Sequence, residues 1–600
     1  MVFYDFEVFK HDWLVVILDM DNQKEHVIIN NPSELDSFHQ EHINDIWVGF
    51  NNVHYDQYIL KGILCGLDPK EINDFIIVQD MAGWKFSPLF KQIKLINYDV
   101  MLRTDRGLKT FEGFLGNNIK ETTVPFDIDR KLTDDEIAET VKYCRHDVEQ
   151  TVEVFIKRID EFNTMMYFIK HFNYPLDYLS KTKAQLTATI LGGNRKGASF
   201  DDEFDFPILP CVELKKYRYI AEWYQKPENK TYSKSQEGVM VAGVEHTFSW
   251  GGGHGAIAQY HDTGCFMIAD VTAYYPSLQM EYKFGYRVMN NPENFEFIHS
   301  SNIAFKRKGD KKARLPFKIM DNAISGQMKQ KSSALYDPMS NNSICVNGQM
   351  LLLDLIEHLE GTVDLIQNNT DGIVFKVRDY DRDFDVIDDI VYEWECRTGM
   401  KMDFDTFFGE IFQKDVNNYL IVDHETGAVK AKGEYLKKLS ALDYDLPIVN
   451  KAVVDYMVHG TPVEKTILGC DDLKEFQMVR KISSLYTKIL HGGYWDTEKK
   501  INPQTGRLKS FKVFVGQRKT VNEKCVRVFA SVNQSDGGLW KVKKLKGQDK
   551  IEKLEGTPEH AFIWNDAVNG VSCPPQLDKQ WYIDTALNRL SKFGVQIGRR

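Results

Sequence analysis

Acidic residues recur along this chain in small motifs that keep one order, each beside a short apolar run. Asp5 and Glu7 lie in YDFEVF, Asp56 closes NNVHYD, and Asp147 closes YCRHD. Asp270 opens DVTAYYPSL and Asp371 sits in NNTDGI, with Lys318 and Asn322 of KIMDNAISG between them. No single motif is specific. The ordered set divides the chain into a first group of four carboxylates and a second group of two.

Local patterning says how each acid is carried. Residues 2–9 and 13–19 read as two β-strands around a polar turn at Lys10–Asp12. Asp5 and Glu7, two apart on the first strand, share one face. Residues 46–50 (IWVGF) read as another strand, ending before Asn51 and Asn52. Thr133 and Glu136 form a capping box. Apolar residues then follow at Ile137, Val141, Cys144, Val148, Val152, Phe155 and Ile159, the period of a helix. Tyr143 and Asp147 are i,i+4 neighbours on it. Residues 171–240 read as a helical connection. The glycine cluster WGGGHG at 250–255 reads as a phosphate-contacting loop or a hinge. Residues 264–269 form a short buried strand ending at Asp270, and Pro276 suits a helix start. Helices are expected near 292–308, 311–330 and 343–360. Residues 363–377 read as a β-hairpin with Asp371 at its turn.

Six hundred residues exceed a single core, so several domains are expected. A hydrophobic share of 43% and a charged share of 27% suit a soluble globular protein. No apolar run approaches a membrane span, and the N-terminus lacks the features of a secretion signal. Nine scattered cysteines without a CxxC pair point to a reducing compartment and away from structural zinc. The net charge of −11 does not exclude a polyanionic partner, because charge acts locally. Residues 306–331 carry nine Lys/Arg against two Asp, and further basic stretches occur at RLKSFKVFVGQRK and WKVKKLKGQDK. Beside the acidic motifs, the 306–331 run is expected to meet phosphates.

Clustered carboxylates supply the hard oxygen ligands that divalent metals need in phosphoryl transfer. Asp5, Glu7, Asp56 and Asp147 suit a two-metal site that cuts phosphodiesters, with Tyr143 placed to orient the attacking water. Asp270 and Asp371, delivered by two strand ends, suit a second site for nucleotidyl transfer, with Lys318 as a triphosphate clamp. Tyr275 is positioned to stack under an incoming sugar and exclude a 2′-hydroxyl.

The chain resembles family B DNA polymerases of bacteriophage type. DVTAYYPSL is similar to that family's first palm motif, KIMDNAISG to its fingers motif and NTDGI to its second palm motif. KGEY at 432–435 resembles its lysine–tyrosine motif, and Trp250–Gly253 sits where the family joins nuclease to polymerase. The N-terminal motifs resemble a DnaQ-like 3′–5′ exonuclease, and LDKQWYIDTAL near 578–588 resembles the C-terminal end of phage enzymes. The resemblance implies an α+β multidomain chain: a ribonuclease H-like α/β exonuclease domain (1–170), a connecting segment (171–240), then a right hand. Its palm would be split (241–290 and 336–440) around fingers of two short helices (291–335), with thumb and C-terminal region over 441–600.

The resemblance further implies Asp270, Val271 and Asp371 as polymerase metal ligands, and Asp5, Glu7, Asp56 and Asp147 as exonuclease ligands, with two Mg²⁺ or Mn²⁺ per site. Tyr275 would be the steric gate, Lys318 the dNTP phosphate ligand and Asn322 part of the base-pair pocket. Lys432 and Tyr435 would contact the primer terminus, and Asn52 the substrate of the nuclease. Partners would be primer-template DNA, dNTPs and replication accessory proteins, with no membrane. The place of action would be the cytoplasm of a bacterial host for a phage-encoded enzyme. The chain departs from the family at Asn369, where the second palm motif has an aspartate, and at Ala323 and Ser325 in the fingers. Lys318 follows Asp270 by 48 positions and precedes Asp371 by 53, which leaves room for little more than a two-helix fingers hairpin.

The expected function is a DNA-templated DNA polymerase with a 3′–5′ proofreading exonuclease, replicating phage or mobile-element DNA. The rival is a metal-dependent 3′–5′ exonuclease whose second half only binds DNA. A nucleic-acid-binding scaffold would need both carboxylate sets idle. A reverse transcriptase would need a YxDD hairpin, which the chain lacks.

Overall fold

The computed structural model describes residues 1–102, 106–195, 201–502, 506, 508–545 and 547–596. Arg507 and Lys546, in two of the basic stretches, lie outside the described residues.

The N-terminal sheet has five strands: β1 (Val2–Val8), β2 (Trp13–Asp19), β3 (Lys24–Ile29), β4 (Ile46–Gly49) and β5 (Ile96–Asp99), in the order β3-β2-β1-β4-β5. β1 pairs antiparallel with β2 and parallel with β4, and β4 pairs parallel with β5. The two-residue period of β1 decides what each face does. Val2, Tyr4, Phe6 and Val8 pack with Trp47, Ile59 and Leu60 on one side. Phe3 joins Leu14, Val16, Cys144, Val148 and Phe155 on the other. Asp5 and Glu7 share the second face, under the helix Asp134–Lys157. That helix carries the capping box read from Thr133 and Glu136.

The second sheet has nine strands: β6 (Ser235–Val241), β7 (Val244–Ser249), β8 (Gly252–Ala256), β9 (Tyr260–Val271), β10 (Val363–Asn368), β11 (Gly372–Val377), β12 (Met402–Asp415), β13 (Asn418–Asp423) and β14 (Val429–Lys432). Their order is β14-β13-β12-β9-β11-β10-β8-β7-β6. The strand ending at Asp270 is thus longer than the six residues expected, because β12 covers nearly its whole length. The glycine cluster is neither a free loop nor a hinge. Gly252–Ala256 is β8 itself, paired with β7 and β10. The reason for glycine is close approach: a Cβ on Gly255 would lie 2.5 Å from the His246 ring.

Helices Pro292–Arg307 and Lys311–Gln327 form an antiparallel pair around the Gly309–Asp310 break. Buried Asp321 joins them, accepting from Asn302 Nδ2 (2.8 Å) and facing His299 Nδ1 (2.9 Å). The helix expected from 343 begins earlier, at Pro338, and runs to Leu359 through the core. The described part of residues 171–240 includes the short α-helices Lys183–Ile190 and Arg218–Gln225, but ends in strand β6 rather than in helix. The last 160 residues mix helices Pro447–His459, Val463–Leu468 and Lys579–Ser591 with three small sheets. One is a two-stranded ribbon, Tyr494–Ile501 against Leu508–Val515. No described helix is long and apolar enough to cross a membrane. All nine cysteines are unpaired.

Candidate functional site

The two groups of carboxylates converge at two separate places. In the first, β1 brings Asp5 and Glu7, and Asp56 stands at the start of the helix Asp56–Leu64 with its Oδ1 accepting from Phe6 N–H (3.2 Å). Asp147 faces them from the long helix. Asp5, Glu7 and Cys144 offer ligand atoms within 4.8 Å of one another. Burial first, and then the charges of Asp56, Glu7 and Asp147, hold the Asp5 carboxyl well above the usual carboxylate range. Glu7 is raised likewise, by burial and then by Asp147 and Asp56, while Lys109 pulls the other way. Burial also dominates at Asp56 and Asp147, both raised. Mutually repelling buried carboxylates, offset only in part by Lys109, are a donor set of hard oxygens. Divalent cations with hard oxygen preference fit it. The Cys144 thiol, pushed up by burial, donates to the Asp5 carboxylate as a neutral group.

Tyr143 is on the same helix, one turn before Asp147, and burial raises its hydroxyl far above the usual range. Lys109 lies 4.7 Å from the centre of its ring and 2.7 Å from Asp147 Oδ1. Asn52 is placed differently from the expectation. Its side chain is fully buried, its Nδ2 donating to Asn97 Oδ1 (2.8 Å) and Tyr98 O (3.2 Å). It ties β5 to the turn before Asp56.

In the second place, Asp270 is the last residue but one of β9 and Asp371 precedes β11. Gly372 pairs with Asp270, and Val271 N–H donates to the Asp371 carbonyl (2.8 Å). The Val271 side chain itself is buried. An open cavity of about 210 Å³ is lined by Asp270, Asn369, Asp371, Tyr419, Lys430 and Lys432, among others. Burial raises the Asp270 carboxyl, Lys430 offsets part of this, and Asp371 adds to it. Here too the oxygen donors suit a divalent ion.

Tyr275 is nearly buried, with Asp371 among the groups that raise its hydroxyl after burial itself. Tyr274 turns into the core, donating to Gly348 O (2.7 Å). Lys318 and Asn322 are exposed, one turn apart on the helix Lys311–Gln327. The structure does not bring them into the cavity. Nor does it bring Tyr435 there: Arg589 and Lys414 lie over its ring, at 4.3 and 5.4 Å.

Several groups at the two places have no counterpart in the sequence reading. Asp403 pairs in register with Asp270, and Asp405 follows two residues later on the same face of β12. Lys430 Nζ bridges Asp405 Oδ2 (2.8 Å) and Asp270 Oδ2 (3.4 Å). Lys306, from the first helix of the pair, reaches Asp403 and Thr272 Oγ1. Buried Tyr419 faces Asp270 and Asp371, its hydroxyl pushed up to about 12, chiefly by burial. A signal for the acids existed: MDFDTF spaces two carboxylates along a strand as YDFEVF does. Lys306 opens the basic 306–331 run, but its pairing with Asp403 was not foreseen, and Lys430 carried no signal, because a lysine in contact with an acid need not be near it in sequence.

No family model and no curated protein matches this chain. Among solved structures it is similar to the family B DNA polymerase from the hyperthermophilic archaeon Pyrobaculum calidifontis, at 12% identity and a TM-score of 0.39, over 100% of this chain and 78% of that one. A likeness this loose assigns no residue.

Proposed function

We propose that the chain is a DNA-templated DNA polymerase of family B with a 3′–5′ proofreading exonuclease. The observation that carries this is two separate carboxylate centres in one chain, one of them Asp270 beside Asp371 at paired strand ends in an open cavity. In this reading the five-stranded unit is the ribonuclease H-like exonuclease of residues 1–170. The nine-stranded sheet is the palm, residues 291–335 are the fingers, and residues from 441 are the thumb and C-terminal region.

At the palm, Asp270 and Asp371 would hold the divalent ions and Lys432 and Lys430 would face the primer and phosphates. Lys318 would meet the triphosphate from the fingers, and Tyr275 would close the sugar side. At the nuclease, Asp5, Glu7, Asp56 and Asp147 would hold the ions, and Tyr143 would align the attacking water. The ions, when bound, supply activation of the attacking oxygen and stabilisation of the leaving one. Primer-template DNA and dNTPs are the substrates of this reading, with a phage or mobile element as its source.

Primer extension on a primed single strand, with and without dNTPs, tests both activities in one tube. Asp5→Ala/Glu7→Ala should end degradation of a mismatched 3′ end and leave extension intact. Degradation at the original rate in a clean preparation would move the nuclease site elsewhere. The alternative, an exonuclease whose second half only binds DNA, draws on Asn369 in place of an acid. Metal-dependent incorporation of a labelled dNTP would eliminate it.

A further inference from the structure

The nuclease carboxylates are faced by a cation that no motif announces. Lys109 lies on the short helix Leu108–Leu115, with its side chain 12% exposed. Its ammonium makes three contacts at once: Asp147 Oδ1 at 2.7 Å, Glu112 Oε2 at 3.1 Å and the Tyr143 ring at 4.7 Å. Glu112 is fully buried, and its Oε2 also faces His146 Nε2 at 3.3 Å. Its other oxygen has no hydrogen-bond partner. Burying a bare carboxylate is costly, and one that keeps an orphan oxygen needs a compensating cation. Among the described residues, Lys109 and His146 are the cationic groups in direct contact with it.

We propose that Lys109 is a positioning residue of the nuclease, anchored by Glu112 and fixing the Asp147 carboxylate and the Tyr143 ring in their working orientation. The inference rests on the nuclease reading of the N-terminal carboxylates. Asp147 and Tyr143 are one turn apart on one helix and must address the same few ångströms of space. Each has a rotatable side chain. A single ammonium touching both removes that freedom, and Glu112 removes the freedom of the ammonium. Groups that orient metal ligands in this way are worth about 10–100-fold in metal affinity or activity. The short helix gives the lysine a firm base, since its far end is held by the C-terminal region through Gly113, Leu115 and Asn117.

A positioning role and a mere charge-balancing role predict opposite signs. Removing a nearby positive charge alone should tighten divalent-ion binding. Removing a group that orients a ligand should loosen it. Lys109→Met is therefore examined by Mn²⁺ titration, in an Asp371→Asn background so that the palm contributes little. The expected result is weaker Mn²⁺ binding at the nuclease by about tenfold. In the otherwise native chain, turnover on a single-stranded oligonucleotide at saturating Mg²⁺ should fall by about 10–100-fold, with KM little changed. Extension of a matched primer should persist. Lys109→Arg should restore much of the loss, and Glu112→Gln should reproduce part of it.

Unchanged or tighter Mn²⁺ binding would overturn the proposal, as would unchanged turnover or an equal loss of extension and degradation. Asp5→Ala/Glu7→Ala is run in parallel. If that variant still degrades DNA, the nuclease reading itself fails. If it is inactive while Lys109→Met is not, the failure belongs to Lys109 alone.

Discussion

Two adjacent tyrosines, Tyr274 and Tyr275, follow Asp270, and the structure separates their surroundings. Tyr274 is 4% exposed and donates to the Gly348 carbonyl, so it holds the helix Tyr274–Tyr282 against Pro338–Leu359. Tyr275 faces Cys345 and the Asp371 side. Tyr275→Ala should therefore relax discrimination against ribonucleotides. A clash of about 2–3 kcal/mol corresponds to roughly 30–150-fold in selectivity. The ratio of dNTP to rNTP incorporation, measured in an exonuclease-deficient background, checks it; an unchanged ratio would reduce Tyr275 to a packing residue. Tyr274→Ala should instead lower stability by about 3–5 kcal/mol through the cavity it leaves. Asp371→Asn should reduce extension by at least about a hundredfold while degradation continues, because the two centres share no ligand; near-normal extension would remove Asp371 from the metal site. At this scale six acids were legible, while Asp403, Asp405 and the counter-charges Lys109 and Lys430 were not. Asp5, Glu7, Asp56, Asp147, Asp270 and Asp371 announce themselves by motif and strand position. Lys109 and Lys430 earn their places through folding that joins distant segments. The buried tie that Asn52 makes from its turn to β5 was not legible, because it depends on Asn97 and Tyr98, 45 and 46 positions away.

Elements were easiest to read where one periodicity dominated. β1, β2 and the capped helix from Thr133 follow from a two-residue alternation and from a capping box with apolar steps of three and four. The hairpin around Asp371 follows from its turn residues. WGGGHG failed this test because glycine speaks of backbone freedom without saying what uses it. Here β8 is glycine-rich so that the His246 side chain of β7 can lie against Gly255. The ring is 1% exposed and stacks on Phe248 at 5.6 Å. Its Nδ1 contacts Val244 O (2.9 Å), and Nε2 has no partner. Burial lowers its pKa to about 4. The sign follows: a base whose folded pKa is depressed stays neutral in the fold, while the unfolded chain takes up a proton below about pH 6.5. Stability from this group is intact above pH 6.5 and is lost as pH falls toward 4, by at most about 3 kcal/mol. His246→Phe should flatten that part of the stability profile. Denaturant unfolding at pH 7 and pH 4.5 measures it, and an identical pH slope in the two proteins would show that His246 titrates normally.

Over the whole molecule, the question is what couples the N-terminal centre to the rest of the chain. Composition told of several domains and nothing about their contacts, since the contacting residues are hundreds of positions apart. The structure concentrates them on Arg527. Its side chain is fully buried, and its donors reach Gln477 Oε1 (3.0 Å), Trp564 O (3.3 Å), Asp566 O (2.7 Å), Gly113 O (3.0 Å) and Asn117 O (2.7 Å). Five acceptors match the five N–H groups of a guanidinium. Burial lowers its pKa to about 10, so the group stays charged at neutral pH. Gly113 lies in the last turn of the helix Leu108–Leu115, which carries Lys109 and Glu112; Trp564 and Asp566 belong to the C-terminal region. Ile119 N–H to Asn565 O and Val568 N–H to Gly116 O, both 2.9 Å, extend the same seam. Arg527→Met keeps apolar bulk but strands several buried carbonyls, each worth about 1–3 kcal/mol when left unpaired. A loss of about 3–5 kcal/mol is expected once the seam relaxes or admits water. The loss should be local before it is global. Amide exchange should quicken together at 113–119 and 564–568, while strands β9 and β11 keep their protection. On the proposed function, degradation should then suffer more than extension, because the Leu108–Leu115 helix loses its anchor and the N-terminal carboxylates lose the lysine it presents. Exchange that quickens on one side of the seam alone, or an equal loss of both activities, would mean that Arg527 stabilises its own sheet and carries no coupling between the two centres.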